Sequence, residues 1–359
     1  MAQHLVHDRS QRLSEVPSAT AVAHRYADTL DDAREFVLPV IREILEDLDP
    51  DVRRVCAYHQ GWVDADGRPA DGNTGKLLRP ALVLLSARAA GGDVADAVHA
   101  AAATEMVHAF SLLHDDIMDG DEERRHRPTA WKAFGVPMAL LAGDALLSLS
   151  HSVLLARPTP GAISALRRLA ADTQRLIAGQ RLDLAFEEGK QVTVTEYEAM
   201  AGGKTAALMA SSCAIGAEVV GGSKTLVEGL AYFGARLGLA FQISDDILGI
   251  WGDPWNTGKA GRSDLVRRKK TYPVVAALSA DGAAAERLRA YYRATEPLSQ
   301  SELVEVASLI EEAGGLAEAH RAVAGCLAET ERILGMLGLP AEARDSLLAV
   351  AAMMTGRNH

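Results

Sequence analysis

The chain has 359 residues, 48% hydrophobic and 24% charged. That is an ordinary globular composition, long enough to bury a core without staples. The formal net charge of −11 argues against a nucleic-acid binder, whose binding face must neutralise phosphates. It leaves room for a local Arg/Lys pocket that takes a phosphorylated small molecule.

Residues 1–27 are polar and mixed, and read as a flexible tail ahead of one domain over 28–359. Met1 to Pro17 carries His4, His7, Asp8 and Arg9 rather than a signal peptide. From about 28 to 48, Leu30, Phe36, Val37, Val40, Ile41, Ile44, Leu45 and Leu48 recur at helical spacing. Pro50 reads as the end of that helix, and the Gly-rich stretch 61–75 as a loop. Helical patterns follow near 77–91, 95–117, 136–156, 160–186, 194–220 and 223–250, then near 272–280, 283–295, 300–314, 316–337 and 340–354. No sustained period-2 pattern competes, so the prediction is an all-α fold, a single large bundle of ten or more helices. No uncharged apolar run reaches the ~18 residues of a membrane span. Cys56, Cys213 and Cys326 form no CxxC, so neither a disulfide framework nor a zinc site is expected, and the cytoplasm is the expected compartment.

Two acidic clusters stand out. Asp115, Asp116 and Asp119 form DDxxD at the end of a helix whose stretch from Ala100 to Leu113 carries only Glu105 as charge. Asp115 and Asp119 are i and i+4, so both carboxylates leave one face. Such a pair suits Mg²⁺, which takes one or two carboxylates and completes its shell with water and phosphate oxygens. The macrodipole disfavours anions at a helix C-terminus, so this placement asks for a reason. Arg124 and Arg125 follow, as fits a metal–diphosphate group. Far downstream, Asp245 and Asp246 again follow an uncharged stretch, with Gln242 one turn before them. Two such clusters on separate helices can clamp one diphosphate. The basic run Arg267-Arg-Lys-Lys270 can lend a cation or two to close over it.

Together these stretches resemble the trans-isoprenyl diphosphate synthases, the polyprenyl synthetase family, over residues 30–355. The resemblance implies the isoprenoid-synthase fold, helices around a central apolar cavity, and head-to-tail condensation of isopentenyl diphosphate with allylic diphosphates. Gly75-Lys-Leu-Leu-Arg-Pro80 is similar to the family's GKRxRP, which makes Lys76 and Arg79 isopentenyl-diphosphate contacts, with Leu77 where the family has Arg. His108 matches a further contact. Asp115, Asp116 and Asp119 match the first metal motif. Arg124 then serves the allylic diphosphate and Arg125 the isopentenyl diphosphate. His126 stands where the family has Gly. Gly179-Gln180 with Asp183 resembles GQxxD, Lys204-Thr205 the KT pair, Phe241-Gln242 the FQ pair, and Lys259 the GK lysine. The resemblance implies three Mg²⁺ ions, held by Asp115, Asp119 and Asp245 with Asp116 and Asp246 supporting. It also implies a homodimer. The second motif ends at Gly249 instead of Asp, which predicts a loosely held third metal, since Asp253 lies too far along to replace it.

Diphosphate departure leaves an allylic cation, which needs positive charge on the leaving group and a dry apolar pocket. Lys204, Lys259 and Arg124 supply the charge, and Thr205 and Gln242 can point oxygen dipoles at the cation. The growing chain must run from Asp115 towards the helix N-terminus. Small Ser111 lies one turn below, and Phe110, about 7.5 Å along the axis, can floor the tunnel above Val107, Thr104 and Ala103. An aromatic residue there resembles short-chain synthases, so geranylgeranyl diphosphate is the expected product and farnesyl diphosphate the alternative. A non-catalytic partner subunit or assembly protein of the same fold is a second alternative. A class I terpene cyclase of the bacterial type needs Asn-Asp-x-x-Ser-x-x-x-Glu. Of Asn73, Asn256 and Asn358, none precedes an Asp.

Overall fold

The computed structural model describes residues 19–70, 72, 74–187, 191–252 and 263–356. The helical periodicity becomes α1 (Ala19–Leu45), α2 (Pro50–His59), α3 (Leu78–Ala89), α4 (Val94–Met118), α5 (Ala130–Phe134), α6 (Val136–Ala156), α7 (Ala162–Glu187), α8 (Val194–Ala201), α9 (Ala207–Val219) and α10 (Lys224–Trp251). After these come α11 (Ser263–Val266), α12 (Tyr272–Ser279), α13 (Ala283–Arg293), α14 (Gln300–Glu312), α15 (Gly315–Met336) and α16 (Ala341–Thr355).

Three local expectations are corrected. Residues 19–27, read as tail, belong to α1. Pro50 does not end a helix but opens α2. Its missing N–H is lost where no intrahelical partner exists, and Asp49 caps the helix by accepting from the Asp51 and Val52 N–H groups at 3.0 and 3.4 Å. The helix expected over 194–220 is broken by a π-helical turn at Gly202–Ala206 between α8 and α9. A two-stranded hairpin, β1 (Glu123–Arg124) with β2 (Arg127–Pro128), also interrupts the all-helical pattern. Its loop residues Arg125 and His126 have φ of 54° and 61°, the left-handed pair a tight type I′ turn requires.

The core is built around α4 and α10. Ala100, Ala101, Ala102, Ala103, Met106 and Val107 are at most 2% exposed, and this small-residue surface lets α3 and α6 pack closely on α4. α10 packs on α9 and α15, burying Leu230, Phe233 and Leu237 completely. Both acidic clusters therefore lie near the C-terminal ends of deeply buried helices, where packing holds them rigid. α6 is long and apolar enough to cross a membrane, although only 39% of its most apolar window is buried inside the chain. Its outer side shows Leu140, Leu141 and Leu155. The three cysteines are free and buried.

Candidate active site

The two clusters share one design. In each, the first aspartate is half-buried and the second is buried and committed to neighbours. Asp116, 2% exposed, accepts a fork from Arg124, with Nε at 2.8 and 3.1 Å and Nη2 at 2.6 Å. Asp246, 4% exposed, accepts from the Tyr197 hydroxyl at 2.5 Å, the Tyr272 N–H at 2.8 Å and Gln242 Nε2 at 3.0 Å. Charge-assisted bonds of this kind fix the helix ends. Asp115 and Asp119 share the open face of α4. Burial pushes Asp115 up to about 6, with Lys204 opposing the rise and Asp119 adding to it.

Among the sequence-predicted cations, Arg124 and Lys204 lie beside these carboxylates. Lys204 sits in the π turn and pairs with Asp183 of α7. Burial alone would raise Asp183, but Lys269 and Lys204 beside it hold its carboxyl below the usual range. The π turn reaches α7 because Gly179 has no side chain: a Cβ there would lie 2.1 Å from Lys204 N. Single-turn π segments recur at functional sites, and here the widened turn brings Thr205 to Gln242. The Thr205 hydroxyl donates to Gln242 Oε1 at 2.6 Å, so Gln242 links the KT pair to Asp246. Lys259 and Asp253 lie outside the described residues. Sequence reasoning did not single out Lys269 within its basic run. Its ammonium is 4.0 Å from Asp183, and Asp183, Asp246, Asp264 and Asp119 outweigh burial to raise its pKa. One cation thus feels carboxylates of both clusters.

A second pocket is basic. Arg79, at the start of α3, is half-buried, with its buried Nε unpartnered, and Glu105 and Asp245 partly offset the cost of desolvating it. Arg125 lies over Gly75, whose Cβ would be 2.6 Å from Arg125 Nη2; glycine at φ +92° leaves room for that guanidinium. Burial, together with Arg79, Arg125, Arg124 and His59, keeps His108 neutral, well below its ordinary pKa. Lys76 is exposed at the rim. Two members were missed from sequence. Burial lowers His59 to about 3, aided by Arg124 and Arg125, and raises Glu105 to about 7 against the pull of Arg79 and Arg125. Glu105 is one turn before His108, a signal available in the sequence; His59 lay on a helix that was not anticipated. A guanidinium with a buried, unpartnered Nε and a second arginine nearby suits a multiply charged anion.

Leu77 and His126 find physical explanations. Leu77 is 3% exposed and joins the core, so the cation missing there is not replaced at that position. His126 is exposed at the hairpin tip, where its left-handed φ of 61° completes the turn. Phe110 is 6% exposed and stacks edge-on against His114, centroids 4.9 Å apart. Ser111 donates to the His108 carbonyl at 2.8 Å.

Among the described residues no three His, Cys, Asp or Glu side chains form a ready metal cage. Mg²⁺ does not need one, since it keeps waters and takes substrate phosphate oxygens beside one or two carboxylates. The Asp115/Asp119 pair and Asp245, facing buried cations, form a donor set of that chemistry.

The sequence profile of the polyprenyl synthetase family matches residues 68–310. A (2E,6E)-farnesyl diphosphate synthase of Mycobacterium tuberculosis is 46% identical over 323 residues, 88% of this chain and 90% of its own. A geranylgeranyl diphosphate synthase of the same organism is 45% identical over 287 residues, 80% of this chain and 82% of its own. The crystal structure of a polyprenyl synthetase from Streptomyces coelicolor A3(2) superimposes with a TM-score of 0.88 at 44% identity, covering 91% of this chain and 99% of that one. The chain therefore belongs to the polyprenyl synthetase family, a prenyltransferase with that family's all-helical fold.

Proposed function

We propose that the enzyme condenses isopentenyl diphosphate with allylic diphosphates head to tail and releases geranylgeranyl diphosphate. The observation that carries the condensation is the pairing of two pockets: the carboxylates of α4 and α10 for one diphosphate, and the Arg79–Arg125 pocket for the other. Asp115, Asp119 and Asp245 would hold three Mg²⁺ ions, which supply Lewis-acid charge to the leaving diphosphate. Arg124, Lys204 and Lys259 bind its remaining oxygens. Asp116 keeps Arg124 aimed, and Asp183 does the same for Lys204. Lys76, Arg79, neutral His108 and Arg125 hold isopentenyl diphosphate. Thr205 and Gln242, tied to each other, present oxygen dipoles to the carbon that becomes positive. Released pyrophosphate takes the proton that completes the condensation, since no side-chain base is needed where a polyanion is already in contact.

The C20 product rests on Phe110. Its ring, braced by His114, closes the tunnel below Ser111. The 46% identity to a farnesyl diphosphate synthase favours C15 as the second reading. A homodimer, working in the cytoplasm where three free thiols persist, is supported by Leu140, Leu141 and Leu155 on α6 and by Ile163 and Ile177 on α7, all 40–63% exposed. A partner would cover such an apolar face. Light scattering at micromolar concentration should give twice 38.1 kDa; a monomer mass refutes the dimer.

Purified protein with Mg²⁺, labelled isopentenyl diphosphate and a C5, C10 or C15 allylic primer tests the product. All three should be extended to C20. Accumulation at C15 selects the second reading. Extension of no primer refutes the condensation and points to a non-catalytic subunit.

A further inference from the structure

Gly249 removes the last carboxylate of the second acidic motif, yet its place is not empty. A Cβ built on Gly249 would lie 2.0 Å from Asp264 Oδ2 and 2.8 Å from its Cγ. The Asp264 carboxyl group therefore stands where a side chain at 249 would begin. Residue 249 is i+4 from Asp245, the spacing of Asp115 and Asp119, and such Cβ atoms lie about 5–6 Å apart on one face. A carboxylate at that point is one helical turn from Asp245.

We propose that Asp264 supplies, from outside the helix, the carboxylate that position 249 lacks, so that Asp245 and Asp264 together hold the third divalent cation. This rests on the reading that Asp245 is a metal ligand. Asp264 is no loose surface acid. Leu265 beside it is 1% exposed in a cluster with Val274, Leu288 and Leu303, and the Asp264 carbonyl accepts from the Lys269 N–H at 2.8 Å. The charged groups it faces are Asp246, Arg267 and Lys269. The two cations act on it through space while pairing with Asp121 and Asp183, and a pair of carboxylates with open positions is what a hard cation that also binds diphosphate requires. The exchange also explains glycine: Asp at 249 and Asp264 in its present position would collide. The departure thus moves the ligand along the chain instead of loosening the metal.

The test is Mn²⁺ binding in the presence of inorganic pyrophosphate, read by the free-ion paramagnetic resonance signal, with melting temperature recorded alongside. Asp264→Ala and the near-isosteric Asp264→Asn should each weaken one Mn²⁺ by about tenfold or more and leave the others unchanged. Adding Gly249→Asp to Asp264→Ala should restore that ion, whereas Gly249→Asp alone should lower the melting temperature. Asp245→Ala is the reference and should lose the same ion. If Asp245→Ala loses an ion while folded Asp264 variants bind all of them as wild type does, Asp264 is not a ligand although the site reading stands. If Asp245→Ala also binds every ion normally, the site reading fails and this inference with it.

Discussion

Substituting Gly179 with alanine tests whether the crossing of α7 and the π turn sets the position of Lys204. The new Cβ would sit 2.1 Å from Lys204 N, 2.7 Å from Gly203 C and 2.8 Å from Lys204 Cα. All three are backbone atoms, so no side chain can rotate away. Ordinary contact begins near 3.4 Å, and the two segments must separate by more than an ångström. Overpacking of this kind costs about 1–3 kcal/mol. The larger effect falls on chemistry, because an ångström of misplacement can cost about 10²-fold in rate, and here it moves Lys204 off Asp183 and Thr205 off Gln242. The expected result is a lowered melting temperature and a fall in kcat of about two orders of magnitude. Gly202→Ala, in the same turn, is the control: its Cβ meets nothing within 4 Å, so rate and stability should hold. Wild-type kcat and melting temperature in Gly179→Ala, or equal damage from Gly202→Ala, would refute the argument.

Asp115→Ala and Asp119→Ala should each cut turnover by orders of magnitude at millimolar Mg²⁺, since each removes a carboxylate from the open face of α4; near-wild-type steady-state rates would exclude the face. Phe110→Ala should move products to C25 or longer while the first condensations continue, read by chromatographic sizing. An unchanged distribution places the floor elsewhere. Burial raises the Glu105 pKa to about 7 from an ordinary 4.5, so the folded state holds this proton more tightly than the unfolded chain does. The resulting penalty is present in full above about pH 7 and is relieved as pH falls towards 4.5. Glu105→Gln should therefore raise the melting temperature relative to wild type at pH 8 and lose that advantage at pH 5; a pH-independent difference would contradict the sign.

What the sequence made legible was periodic or local. The long apolar stretches of α4 and α10, and the acidic groups near their ends, follow from spacing alone. Pro50 was misread because a proline is equally suited to end one helix and to open the next, and only the Asp49 cap decides. Asp115 and Asp116 are the same residue type side by side. Their different duties arise from which face of α4 meets the hairpin that carries Arg124. The π turn, the contact of Arg125 with Gly75, and Asp264 beside Gly249 depend on segments that meet only in the folded chain.

The hairpin links the two pockets mechanically. Arg124 reaches Asp116 on one side and Arg125 lies over Gly75 on the other, from adjacent Cα atoms about 3.8 Å apart. Arg124 is held in the β1–β2 ladder and Arg125 follows it locked left-handed, so the backbone fixes where the two guanidinium side chains start relative to each other. In the proposed reaction the two diphosphates are thus held at one separation from the first elongation cycle to the last. The reacting ends meet in the same geometry each time, and all of the length added in each cycle must be taken up at the far end of the hydrocarbon tail.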